Sequence, residues 1–289
     1  MNTTTSQKIA DFEKMIIGII SILCGGILIY LTIYGPFFLN AIHYKTSLSG
    51  ISQIKGQDLV NLFLMAPLLI TGGVTHILNK DFSRYLVILT PVYLIYYGLS
   101  MGIGMEWGFA NYSGNSEKLT FHFLFLIISG LLILLYSNTL FTQDVSITFK
   151  KKPMIIYSAI FVIFLLLFSM MWLKEVVMVI NNTISVSYEQ SPVLFWVIRY
   201  FDLGLSIPLG LLSVYLLWTR PNSAISVQLL FYGFFITTIT AVCSMGFLMY
   251  LDHAPDFSIS VLAVFMVLAL IVYAGFIFIM SAITKPKPS

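Results

Sequence analysis

An all-α bundle of membrane-spanning helices is the fold class this sequence predicts, and three observations carry the reading. Of 289 residues, 58% are hydrophobic and 9% charged, against about 25% charged in an ordinary soluble domain. The apolar residues gather into eight stretches of about 20 residues, the length a helix needs to cross a bilayer. Pro36, Pro153, Pro192, Pro221 and Pro255 stand at or near the breaks between stretches, where a missing amide hydrogen does least harm.

The elements follow in order. A polar segment of mixed charge, about 1–14, opens the chain, and no small-residue cleavage pattern follows it, so the first apolar run reads as a retained helix rather than a signal peptide. The expected spans are about 15–35, 58–78, 85–105, 119–140, 153–173, 194–218, 225–251 and 258–281. Together they form a single transmembrane domain, about 15–281, followed by a tail over about 282–289. Such a chain leaves no room for a soluble catalytic domain, so any chemistry sits between helices or in the loops.

Orientation follows from the basic residues. With the N-terminus in the cytoplasm, the inner segments carry Lys8, Lys14, Lys80, Arg84, Lys150, Lys151, Lys152, Arg220, Lys285 and Lys287, and the outer ones only Lys45, Lys55, Lys118 and Lys174. This positive-inside bias places both termini in the cytoplasm and the protein in the cell membrane. It also carries Asp58, Glu106, His122, Glu175, Arg199, Asp202, Asp252 and His253 toward the outer side.

Within the apolar runs a few polar residues demand an explanation. Arg199 and Asp202 lie three apart in RYFDLGLSIP, and a charge at membrane depth costs about 2.5–3.5 kcal/mol, which marks it as a candidate functional residue. The alternative is an internal ion pair that fixes helix packing. Asp58 and Asn61 repeat the three-residue spacing in the second stretch, although Asp58 also reads as a first-turn acid favoured by the helix dipole. The third stretch holds Tyr93, Tyr96 and Tyr97, then Gly98, Gly102, Gly104 and Gly108 around Glu106. Small residues four apart permit close helix contact, and the tyrosines fit an interfacial belt.

A duplication is also suggested. QDLVNLFLMAPLL and FDLGLSIPLGLL each place Asp-Leu before Pro-Leu, four spans apart and in the same direction, as a parallel four-plus-four repeat requires. The Asp-to-Pro distances differ, nine residues against six, so the echo is weak.

Several classes lose support. Cys24 and Cys243 lie in apolar runs and read as small hydrophobes. His43, His76, His122 and His253 show no metal-ligand spacing, and no cofactor is expected. There is no GxSxG, Walker, GxGxxG or CxxC motif. Lys150 to Lys152 reads as a topology determinant, too short for a nucleic-acid patch.

The combination of GQDLVNL with Pro67, a short basic loop followed by a tyrosine-rich span, and DLGLSIPLGLL ending in Trp218, Thr219 and Arg220 resembles an uncharacterised prokaryotic family of integral membrane proteins. The likeness runs roughly from Gly56 to Met249. It implies that Asp58, Asn61, Pro67, Asp202 and Pro208 belong to the family pattern, and it brings no activity with it.

The functional expectation is a multi-pass membrane protein that binds a small polar solute, in transport or sensing, at an outward-facing polar cavity. The candidate lining residues are Asp58, Asn61, Glu106, His122, Arg199 and Asp202. The expected partners are the lipid bilayer and that solute, with no nucleic acid. Two alternatives stand beside it: a membrane-embedded enzyme acting on a lipid-type substrate, with Asp202 or Glu106 as acid or base, and a structural or accessory subunit. The absence of catalytic motifs weighs against the enzyme.

Overall fold

A computed structural model describes residues 3–105, 111–141, 146–147, 150–183 and 185–284. Among these are eight helices long and apolar enough to cross a membrane: Gln7–Tyr34, Leu48–Ile77, Ser83–Gly104, Ser116–Thr139, Lys151–Ile180, Pro192–Thr219, Pro221–Leu251 and Ile259–Ala282, here spans 1 to 8. The fold class is therefore the one the composition dictates. In hydrocarbon every backbone N–H and C=O must be satisfied within the chain, and a helix does this locally.

Span 2 begins earlier than its hydropathy suggests. Ser47 caps it by accepting from the Gly50 N–H at 3.2 Å, and the first turns, LSGISQIKGQD, are polar yet largely buried. They are polar because they pack on protein. Span 7 lies against them so closely that a Cβ added at Gly56 would meet the Met245 backbone at 2.5 Å. Ser49 donates to Asp256 and Ser52 to Asp252, each at 2.8 Å, and Lys55 pairs with Asp252 at 2.9 Å. Asp58 is consequently ten residues into its helix, about 15 Å along the axis, and not in the first turn.

Spans 1 and 2 pack side by side, as do 3 and 4, 6 and 7, and 7 and 8, while span 7 also crosses spans 2 and 3. Span 8 contributes little to the core: only 11% of its most apolar window is buried, so its apolar surface faces lipid. At one face of the bundle, Lys14 donates to Asn79 at 3.0 Å, and Ser146–Ile147 pairs antiparallel with Ile283–Thr284. This is the N-terminal face. At the opposite face, Asn115 binds the Ala41 carbonyl and the His43 N–H, and Gln190 donates to Asp256 at 2.9 Å.

Three spans contain a π-helical turn among the described residues. Asn61–Met65, Ser100–Gly104 and Asp202–Ser206 are π-helical, each a local widening of the turn that is rare and concentrated at functional sites. In spans 2 and 6 the cause is legible. Pro67 and Pro208 each stand second in the α-segment that follows and cannot donate to the preceding turn. The ladder shifts, and the N–H groups of Ala66 and Ile207 reach five residues back to Asn61 and Asp202.

Candidate functional site

The first of these widened turns frames a closed polar cluster. Asp58 and Asn61 come from span 2, Tyr93 and Tyr97 from span 3, and Tyr44 from the segment joining spans 1 and 2. None of the five is more than 3% exposed. Span 1 closes the remaining side: the Thr32 hydroxyl donates to the Asp58 carbonyl at 3.4 Å, and a Cβ at Gly35 would meet Asp58 Oδ2 at 2.7 Å. Only a glycine leaves room there for the carboxylate. Burial, and then the nearby Asp58 carboxylate, push the Tyr44 phenol above its usual range.

The hydrogen bonds in this cluster have a direction. Gln57 Nε2 donates to the Tyr93 hydroxyl at 3.4 Å, and Tyr93 donates to Asn61 Oδ1 at 2.5 Å. Because the Asn61 oxygen is thus occupied, its amide N–H groups are turned the other way. Asn61 Nδ2, Asp58 Oδ2 and the Tyr97 hydroxyl are all buried and unpartnered. Tyr97 stands beside Asn61 and within electrostatic range of Asp58 and Tyr44. Three unsatisfied polar groups in one region between two spans are uncommon, because each costs about 1–3 kcal/mol when nothing meets it.

Arg199 and Asp202 form a second cluster, on span 6. The Arg199 guanidinium lies between the rings of Trp172 and Phe195, 4.3 and 3.9 Å from their centroids. Its ion-pair partner is Glu175 of span 5 rather than Asp202 three residues on. Asp202 instead accepts from Ser206 at 3.0 Å. This region is better satisfied than the first, with the Trp172 indole also beside Asp202, although Arg199 Nε lacks a partner.

Span 3 separates the two clusters and touches both. Tyr93 and Tyr97 face span 2, while Tyr96 packs edge-on to Phe201 and lies within electrostatic range of Asp202 and Arg199. The other candidates sit apart. His122 stacks on Tyr30, ring centroids 5.5 Å apart, with a buried, unpartnered Nδ1. Glu106 lies outside the described residues, as do Lys285 and Lys287 of the tail. Among the described residues, no group of three or more His, Cys, Asp or Glu is placed to hold a metal ion.

Sequence reasoning passed over Tyr44 and took Tyr93 and Tyr97 for belt or packing residues. Helical spacing carried the missing signal: Tyr93 and Tyr97 are four apart, and so share a helix face. The proline motifs also align better than their aspartates suggest. Taken from Asn61 and Asp202, NLFLMAP and DLGLSIP share the pattern Asn/Asp-Leu-x-Leu-x-x-Pro with equal spacing, and each begins a π-segment.

Set against protein-family models, curated proteins and solved structures, the chain matches none of them.

Proposed function

We propose that this multi-pass membrane protein transports a small polar solute across the cell membrane, binding it where spans 1, 2 and 3 meet. The observation that carries the reading is the convergence of Asp58, Asn61 and Tyr97, each presenting a buried polar atom with no partner beside a π-helical turn. Polar groups at membrane depth are retained where they meet a ligand, an ion or one another. The candidate residues then divide by role. Asp58 and Asn61 bind, with Tyr93 orienting Asn61, whereas Arg199 and Asp202 brace span 6 against span 5. His122 belongs to the approach from the face opposite the N-terminus.

The burial of the cluster describes a closed state, and opening requires spans to move. The π-segments of spans 2, 3 and 6 supply the yielding points, since a widened turn returns to α geometry by shifting one hydrogen-bond register. The equal motifs of spans 2 and 6, together with the packing of span 2 on 7 and of span 3 on 6, support a duplicated four-span unit of the kind on which rocking transporters are built.

Uptake into proteoliposomes over a panel of small polar solutes tests the reading. Wild type should accumulate at least one solute above empty vesicles, and Asp58→Asn should reduce that uptake at least tenfold. Wild type indistinguishable from empty vesicles across amino acids, sugars, polyols and organic acids removes the transport reading. The Arg199 and Asp202 cluster favours one other reading, that of a structural subunit. In that case Arg199→Met with Glu175→Leu, which replaces both members of the ion pair, keeps folding and any associated partner.

A further inference from the structure

We infer that Asp58 is a proton-binding centre, whose carboxyl group takes up a proton within the bundle and releases it when spans 1, 2 and 3 part. The inference deepens the transport reading. The role of this proton as coupling ion rests on that reading, but the protonation itself does not.

The argument starts from charge. Asp58 Oδ2 is buried and unpartnered, and no Lys or Arg closes an ion pair with the carboxylate among the described residues. An isolated ionised carboxylate in such surroundings is strongly penalised, so it must acquire either a proton or a cation. The polarity of its surroundings chooses between them. Tyr93 donates to Asn61 Oδ1, which leaves Asn61 to present N–H groups, and N–H hydrogens repel a metal cation. They are compatible with a carboxyl group in both of its forms: a carboxylate oxygen can accept an N–H, and in the neutral acid the O–H can donate to a hydroxyl oxygen while the other oxygen remains an acceptor. Hard cations instead ask for six or more oxygens at fixed distances.

The titratable groups around Asp58 are consistent with this. Tyr44 faces it from the connecting segment, and Tyr93 and Tyr97 face it from span 3; all are neutral phenols near pH 7. Span 1 contributes Thr32, and Gly35 follows at its end; neither carries a charge. Span 7 carries the partly buried thiol of Cys243, and Asp252, just beyond its end, is engaged by Lys55 and Ser52. The step balances without any electron transfer. A carboxylate and a proton from water on one side give the acid, and the O–H bond breaks to return that proton to water or to the solute on the other.

Infrared difference spectroscopy on the protein in liposomes tests this, reading the C=O stretch of protonated carboxyl groups across a pH titration. The expected result is a band that disappears on raising the pH, is missing in Asp58→Asn and persists in Asp202→Asn. If Asp58→Asn does not assemble, Asp58→Glu in protein labelled with 13C-aspartate is substituted, and the band should lose its isotope shift. A titrating band unchanged in these Asp58 variants overturns the inference. So does the absence of the band in wild type together with thermal stabilisation by sodium or potassium over choline that vanishes in Asp58→Asn. Solute uptake is measured on the same vesicles. Uptake that depends on Asp58 but has no titrating band keeps the transport reading and removes the proton centre. A titrating Asp58 band in vesicles that move no solute keeps the proton centre and removes transport.

Discussion

The Tyr93 hydroxyl donates to Asn61 Oδ1 at 2.5 Å, and this bond decides which way the amide of Asn61 faces. It ties span 3 to the widened turn of span 2 and continues to Gln57. The neighbouring Tyr97 hydroxyl, equally buried, closes no hydrogen bond. Two tyrosines four residues apart therefore make different predictions. Tyr93→Phe strands the Asn61 oxygen and the Gln57 amide and should cost about 1–3 kcal/mol, whereas Tyr97→Phe removes a hydroxyl that makes no well-formed hydrogen bond and should cost less. Unfolding of both variants in the same detergent, compared with wild type, measures the difference.

Gly56 is the second test, because here a missing side chain determines how two spans meet. An added Cβ falls 2.5 Å from the Met245 Cα and N, and backbone atoms in a packed helix cannot yield as a side-chain tip can. Gly56→Ala should therefore part spans 2 and 7 and destabilise by about 1–3 kcal/mol, the usual range for overpacking. Gly26, where nothing lies within 4 Å of an added Cβ, is the control. Gly26→Ala should be neutral or slightly stabilising, since alanine is the better helix former.

These two positions also show what the sequence could and could not disclose. Eight spans were legible because twenty apolar residues in a row have few other uses. The start of span 2 was not, because Ser49, Ser52 and Gln57 look like loop residues until span 7 is seen covering them. Hydropathy measures transfer to lipid and is silent about burial against protein. For the candidate site, the sequence singled out Asp58 and Asn61, since a charge inside an apolar run is conspicuous. It paired Arg199 with the nearest acid along the helix, but the guanidinium turns to Glu175 on another span, a choice set by tertiary packing that local spacing does not contain.

At the face opposite the N-terminus, the Lys55 and Asp252 pair carries a pH dependence whose sign can be worked out. The hydrogen bond from Lys55 holds the Asp252 carboxyl below its ordinary value of 3.8. A depressed folded-state value means that the stabilisation is fully present above the unfolded value and is lost as pH falls through the folded one. Stability should therefore decline below about pH 4 more steeply in wild type than in Asp252→Asn. Both side chains are about a quarter exposed, so the pair contributes under about 1 kcal/mol. Unfolding midpoints of the two proteins between pH 3 and pH 7 should converge at the acid end.

The last prediction concerns the prolines behind the widened turns. Pro67 and Pro208 lack the N–H that would hold spans 2 and 6 in α register, and the chain answers with a π-segment before each. Replacing proline by alanine restores that donor and removes the ring that crowds the preceding turn. The helix then gains a hydrogen bond, and the widened turn loses its cause. Stability should stay level or rise by about 1 kcal/mol. If these turns are the yielding points of a transport cycle, Pro67→Ala and Pro208→Ala should slow solute uptake severalfold while leaving the proteins at least as stable as wild type. Destabilisation is the ordinary route by which a substitution lowers flux, so slower uptake at undiminished stability separates lost flexibility from damaged folding. Uptake and unfolding must therefore be read on the same preparations. Unchanged uptake in both variants would mean that the π-segments only accommodate the prolines and take no part in opening.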